Sequence, residues 1–216
     1  MSTAFPSQQR VDALILAGGN SRRMGSDKAL LRWEGIPLLR RVATVAAACS
    51  EQVYILTPWP ERYESLLDPD WHLWPESVPN RGPLMAFQEG IHRLRELDAL
   101  PEWVLLLACD LPRLQAQVLR NWREHLGSLP DEIVAALPRT DRGWEPLCGF
   151  YRLAQMRRLE AFGQTGGRSF QEWLEQIPTV VLPLADQATD AGEMLTNCNT
   201  PADMAPGTTG SEGSQF

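Results

Sequence analysis

Histidine and cysteine are both sparse in this sequence, with three of one and four of the other in 216 residues. His72, His92 and His125 are scattered, and Cys49, Cys109, Cys148 and Cys198 lie far apart with no C-x-x-C pair. That spacing signals neither a zinc site nor a disulfide framework, and leaves buried, reduced thiols as the expected state. Long apolar runs are missing as well. No stretch suffices to span a bilayer, and Met1 to Arg10 lacks the apolar core of a signal peptide, so the expected location is the cytoplasm with no membrane partner. Positive charge is outweighed: 20 basic against 27 acidic residues give a net charge of −7, which argues against a nucleic-acid footprint.

What the chain does have is apolar content of 44%, enough for one well-buried domain. Its expected limits are residues 11–204, after a flexible segment 1–10 and before a small, polar, Gly-rich tail, 205–216, expected to be disordered. The domain opens on VDALILAGGNSRRMGSDKALL, Val11 to Leu31. An apolar, partly β-branched run breaks at Gly18-Gly19 into a basic loop ending at Asp27-Lys28, which reads as a strand followed by a phosphate loop. Glycine lets the backbone approach a ligand closely, and successive loop N–H groups can converge on an anion. Arg22, Arg23 and Lys28 add mobile positive charge. Two familiar phosphate loops do not fit. Lys28 follows Asp27 and precedes Ala29, so Gly-Lys-Ser/Thr is absent, and adjacent Gly18-Gly19 with a later Gly25 is not the G-x-G-x-x-G of dinucleotide-binding folds.

Beyond the loop, strands alternate with helices, the pattern of a mostly parallel, Rossmann-like sheet covered by helices in a single three-layer α/β domain. The spacing predicts a helix from Pro37 to about Cys49, a strand over Gln52–Thr57, a short helix over Glu61–Leu67, a weaker strand over Trp71–Trp74 and a helix over Leu84–Leu97. Trp103 to Cys109, WVLLLAC, is the most hydrophobic stretch and should be the central strand. It stops at Asp110-Leu111-Pro112. A carboxylate at the carboxyl end of a central parallel strand lies where open α/β sheets bind ligands, although Asp110 also has the option of capping the helix after Pro112. Glu132–Pro138 reads as another strand. Leu153–Phe162 and Arg168–Ile177 read as amphipathic helices, with Phe170, Trp173, Leu174 and Ile177 assigned to the core and the loop GQTGGR between them to a helix connection.

The string LAGGNSRRMGSDKALL resembles the LAGG-x-S-x-R-M-G-x-D-K signature of nucleotidyltransferases, in particular the molybdenum cofactor guanylyltransferase (MobA-type) family. The resemblance extends over roughly Asp12 to Met204. It includes Cys109-Asp110-Leu111-Pro112, the Gly82-Pro83-Leu84 segment, Pro146 to Tyr151, and Asn197 to Pro201 in TNCNTPADM. It implies GMP transfer from GTP to molybdopterin, with Mg2+ as cofactor and Asp110 as its ligand. Backbone N–H groups of Leu16, Ala17, Gly18 and Gly19, together with Lys28 and Arg23, would hold the phosphates. Glu76 stands about where relatives carry an acidic residue that contacts the nucleotide, and a solvated charge is the competing reading. Asn197 and Asn199 would hydrogen-bond the pterin, or else stitch a strand-to-helix turn. Molybdoenzymes or other cofactor-biosynthesis proteins are the further partners implied. Glu145 replaces a His frequent in relatives and receives no role. A cytidylyl or sugar-phosphate nucleotidyltransferase, and a non-catalytic nucleotide-binding module, are the alternative activities.

Overall fold

Two six-residue strands, Val11–Leu16 (β1) and Trp103–Ala108 (β6), are buried along their whole length, which only a strand covered on both faces tolerates. In the computed structural model, which describes residues 9–18, 27–184 and 194–196, they pair in parallel from Val11 opposite Trp103 to Leu16 opposite Ala108. Between them the chain forms a small hairpin, Arg32–Trp33 (β2) and Ile36–Pro37 (β3). It continues through a helix, Leu38–Ala47 (α1), two parallel strands, Val53–Thr57 (β4) and His72–Pro75 (β5), and a helix, Pro83–Leu94 (α2). After β6 come a helix, Ala116–Leu126 (α3), a short strand, Ala135–Leu137 (β7), and a second hairpin, Arg139–Thr140 (β8) with Gly143–Trp144 (β9). A strand, Cys148–Arg152 (β10), two helices, Arg157–Gln164 (α4) and Phe170–Leu174 (α5), and an edge strand, Thr179–Val181 (β11), complete the order.

The seven-stranded sheet runs β11-β7-β10-β6-β1-β4-β5, so β6 is central as its composition predicts. Side chains alternate across it with the period of two that a pleated strand imposes. Ala13, Ile15, Ile55, Leu105 and Leu107 face Leu39, Val42 and Ala46 of α1 and Leu119, Trp122 and Leu126 of α3. Leu14, Leu16, Leu56, Val104 and Leu106 face Leu84, Phe87 and Ile91 of α2, with Leu159, Phe170 and Trp173 of α4 and α5. This is the expected three-layer, mostly parallel α/β domain. Among the described residues no helix is long and apolar enough to cross a membrane.

Several elements differ from the sequence reading. The helix expected over Glu61–Leu67 is two separate 3-10 turns, Pro60–Arg62 and Glu64–Leu66, because Tyr63 between them turns into the core. The helix expected to reach Leu97 stops at Leu94, and Leu153–Phe162 divides into a 3-10 turn, Leu153–Gln155, and α4. The helix expected over Arg168–Ile177 is only the five residues of α5, entered at Ser169, whose hydroxyl accepts the Glu172 N–H at 3.3 Å. Pro146 to Tyr151 feeds β10, the one strand of this sheet that runs antiparallel to both neighbours. Strand β10 ends in a buried arginine. Arg152 donates to the carbonyls of Leu129, Pro130 and Ile133 and to the carboxylates of Glu102 and Asp131, and lies 4.5 Å over the Trp103 ring. At the other terminus, Gln9 bonds Glu102 and the Trp103 indole, and Arg10 pairs with Asp12. The rest of the expected flexible segment 1–10, and the expected tail 205–216, lie outside the described residues.

Candidate active site

Register decides what meets at the carboxyl edge of the sheet. Leu16 is opposite Ala108 on one side and Leu56 on the other, so all three strands run out at the same level. The residues that follow them, Ala17-Gly18, Cys109-Asp110 and Thr57-Pro58, are therefore neighbours. Thr57 is fully buried and donates its hydroxyl to the Ala17 carbonyl at 3.0 Å, while the Cys109 N–H reaches the Leu16 carbonyl at 3.3 Å. These bonds fix the start of the phosphate loop to both adjoining strands. They surround a cavity of about 540 Å³ lined by Leu16, Ala17, Gly18, Asp27, Lys28, Glu76 and Asp110, and further by Trp59, Asn80, Gly82, Pro83 and Leu147.

Within it the Lys28 ammonium stands 3.4 Å from Asp110 Oδ2, joining residues 82 apart in the chain. Burial pushes the Asp110 pKa above the usual carboxylate range, and the charge and hydrogen bond of Lys28 pull it part of the way back down. The capping alternative fails, since α3 begins only at Ala116 and its N-cap residue is Gln115. The loop after Asp110 is clamped from outside. Arg41 of α1 donates to the Pro112 carbonyl, and the Arg113 guanidinium lies 5.2 Å over the Trp33 ring of the first hairpin.

Glu76 is half-buried rather than a solvated charge. Its N–H bonds the Thr57 carbonyl at 2.8 Å, and a Cβ at Gly18 would stand 2.7 Å from its Oε2. Desolvation first, and then the charge of Glu89, raises its pKa above the usual carboxylate range. Gly18 is therefore glycine for close approach, with the Glu76 carboxyl and Pro58 occupying the space where a side chain would go. Asp27, which the sequence presents only as part of the D-K pair, is more heavily held. Its Oδ1 accepts the Ala29 N–H at 3.1 Å, and its Oδ2 accepts the Tyr63 hydroxyl at 2.7 Å with the Arg62 guanidinium 3.5 Å away. Tyr63, Thr57 and Trp59 are the contributors that sequence reasoning missed. An isolated Tyr or Thr after a strand carries no motif, so only the fold reveals them.

None of the three histidines lines the cavity, and neither does the GQTGGR loop. The Cys109 thiol is raised far above its usual range by burial and by Asp110, which keeps it protonated and inert as a nucleophile. Of Pro146 to Tyr151, a segment covered by the family resemblance, Leu147 reaches the cavity, while the buried Tyr151 donates to the Pro146 carbonyl at 2.8 Å. Gly19, Arg23, Asn197 and Asn199 lie outside the described residues.

The loop leaving β1 and the carboxylate at the end of β6 meet through one lysine, and the sequence model of the MobA-like NTP transferase domain matches residues 13–179. The chain belongs to that family. A Nostoc protein named a probable molybdenum cofactor guanylyltransferase is 50% identical over 193 residues, covering 89% of this chain and 88% of its own. The protein of the same name from Synechococcus elongatus is 47% identical, over 88% and 94% of the two chains. Among solved structures, the molybdopterin-guanine dinucleotide biosynthesis protein A of Archaeoglobus fulgidus superposes with a TM-score of 0.69 at 21% identity, over 89% of this chain and 94% of that one. That likeness is one of fold.

Proposed function

We propose that this MobA-like chain transfers GMP from GTP to the terminal phosphate of molybdopterin, forming molybdopterin guanine dinucleotide and releasing pyrophosphate. The observation that carries the reading is the convergence of Lys28 and Asp110, from two loops 82 residues apart, in the cavity whose wall is the Gly18 end of the phosphate loop. The names of relatives at 47% and 50% identity supply the nucleotide and the acceptor.

An oxygen of the acceptor phosphate attacks the α-phosphorus, and the bond from that phosphorus to the β-phosphate oxygen breaks. The attacking group is already an anion at neutral pH, so no general base is required, in keeping with a cavity that no histidine lines. The protein must instead align two anions and neutralise the leaving pyrophosphate. The Gly18 N–H and the Lys28 ammonium face that task, whereas the Ala17 N–H, expected to join them, is already given to the Leu56 carbonyl at 2.9 Å. Glu76, Asn80 and Gly82 bound another side of the cavity.

The donor set fits Mg2+. Asp110 offers hard carboxylate oxygen and already attracts a cation, Lys28. No group of three or more His, Cys, Asp or Glu side chains able to hold a metal is found among the described residues. Mg2+ suits such a site because it binds through one or two carboxylates, substrate phosphates and water. When bound it would supply Lewis-acid neutralisation of phosphate oxygens.

The test is product formation by the purified protein with Mg2+, molybdopterin with and without molybdate, and GTP, CTP or ATP in separate reactions, scoring pyrophosphate and pterin dinucleotide. The expected result is dinucleotide with GTP alone, reduced by about 100-fold or more in Asp110→Ala. Product with CTP instead overturns the base assignment, and near-normal turnover of Asp110→Ala in Mg2+ overturns the metal assignment.

A further inference from the structure

The segment Trp59 to Tyr63 does more than connect β4 to β5. Its phenol, on a side chain only 1% exposed, crosses 36 positions of sequence to donate to Asp27 Oδ2 at 2.7 Å. Beside it, Arg62 lies 3.5 Å from the same oxygen and 4.5 Å over the Trp59 ring. The 3-10 turns on either side hold Tyr63 in place through its own N–H to the Pro60 carbonyl and its carbonyl to the Leu66 N–H, at 3.0 and 2.9 Å. Asp27 in turn caps the 3-10 turn Lys28–Leu30, so both of its oxygens have donors.

This anchoring answers an electrostatic problem. A carboxylate adjoining Lys28 on the wall of a polyphosphate site repels the ligand, and competes with it for the ammonium whenever its oxygens are unclaimed. A phenol buried without an acceptor would itself cost about 1–3 kcal/mol, so packing alone favours phenylalanine at this position. The hydroxyl is held by Asp27, with Thr57 as its other side-chain neighbour.

We infer that Tyr63 is a positioning residue for Lys28: by holding the Asp27 carboxylate, with Arg62, it leaves the lysine to Asp110 and to the phosphates of the nucleotide. The inference rests on the reading that Lys28 holds polyphosphate. It adds a residue from a different strand-loop unit to the phosphate site, one that does not itself line the cavity. Tyr63→Phe keeps the ring and its packing and removes only the oxygen, which leaves Asp27 Oδ2 with the exposed Arg62 as its remaining partner.

The experiment is a double-mutant cycle read by calorimetric binding of inorganic pyrophosphate in Mg2+, using the full chain with neither acceptor nor base present. Tyr63→Phe should weaken pyrophosphate by about tenfold. Asp27→Asn, whose single amide oxygen serves either the Ala29 N–H or the phenol and whose NH2 can donate to the phenol oxygen, has no charge to release and should bind within about threefold of the parent, and adding Tyr63→Phe to it should cost less than about twofold more. A merely structural tyrosine would lose the same factor in both backgrounds, which would overturn the inference. So would an unaffected Tyr63→Phe, or an Asp27→Asn that abolishes binding alone, since the carboxylate would then be needed and not merely restrained. Failure of the unmutated protein to bind pyrophosphate is a distinct result, and removes the phosphate-site reading and this inference together.

Discussion

Replacing Lys28 with methionine separates two effects that the site superimposes. At 3.4 Å, unit charges attract by about 5 kcal/mol at an effective dielectric constant near 20 and by about 1 kcal/mol in bulk water. The two side chains are 26% and 17% exposed, so neither limit applies and about 1.5–3 kcal/mol is the working range. Burial raises the Asp110 carboxyl and Lys28 lowers it, so removing the lysine lets the carboxyl rise further and hold its proton to higher pH. The protonation midpoint therefore moves to higher pH.

A divalent ion needs the carboxylate, so the acid limb of Mn2+ binding, followed by electron paramagnetic resonance without nucleotide, should move to higher pH by the same amount. On the alkaline plateau Asp110 is ionised in both proteins and the variant lacks a repelling cation, so Mn2+ should bind more tightly there. Turnover should nevertheless fall at every pH, because the phosphates have lost their ammonium. The carboxyl carbon shift of Asp110, titrated by nuclear magnetic resonance without metal, checks the midpoint independently. An unmoved midpoint in a folded variant, or weaker plateau binding, would refute the account of Asp110 and Lys28 as one electrostatic unit.

Two further substitutions test the close approaches. Gly18→Ala would bring a methyl group to 2.7 Å from Glu76 Oε2, the end of a flexible side chain, so unfolding free energy should fall by less than about 1 kcal/mol while GTP affinity, measured by calorimetry, drops by about tenfold as the carboxyl shifts. A large stability loss with unchanged GTP binding would contradict the placement of Glu76. Gly149→Ala meets Leu137 Cδ2 at 2.4 Å and the Ala136 backbone carbonyl at 2.8 Å, and backbone cannot step aside, so urea unfolding should show a loss of about 1–3 kcal/mol or more. Undiminished stability would refute the pairing of β10 with β7.

Where sequence and structure agree, the deciding residues are local. The helix expected from Pro37 to about Cys49 runs from Leu38 to Ala47, since its apolar residues repeat at helical spacing and bury Leu38, Leu39, Val42, Ala43 and Ala46. The expected strand Trp103–Cys109 ends at Ala108 because only an all-buried strand accommodates six such residues in a row. Disagreement follows remote contacts. CGFYR becomes strand β10 through pairing with β6 and β7, although its glycine and its terminal arginine obscure any strand pattern. Arg152 is tolerable in that position only because five acceptors, contributed by residues 102 and 129–133, surround it. Tyr63 breaks an expected helix because its partner is Asp27, a residue of another loop.

The candidate site divides along the same line. Lys28 and Asp110 are legible because each sits in a motif next to a strong strand, yet no feature of either motif states that the two must meet. The sheet makes them meet. Strand register has a period of two residues, so a slip of one would move the carboxyl end of β6 by about 3.3 Å and exchange its two faces, sending Leu105 and Leu107 to the wrong core layer. Both layers are filled by side chains from five strands of the sheet, β1, β4, β6, β7 and β10, and five helices, which makes that slip costly. The burial pattern that selects the fold therefore also sets the distance between the phosphate loop and the aspartate, and the geometry of catalysis follows from apolar packing beneath it.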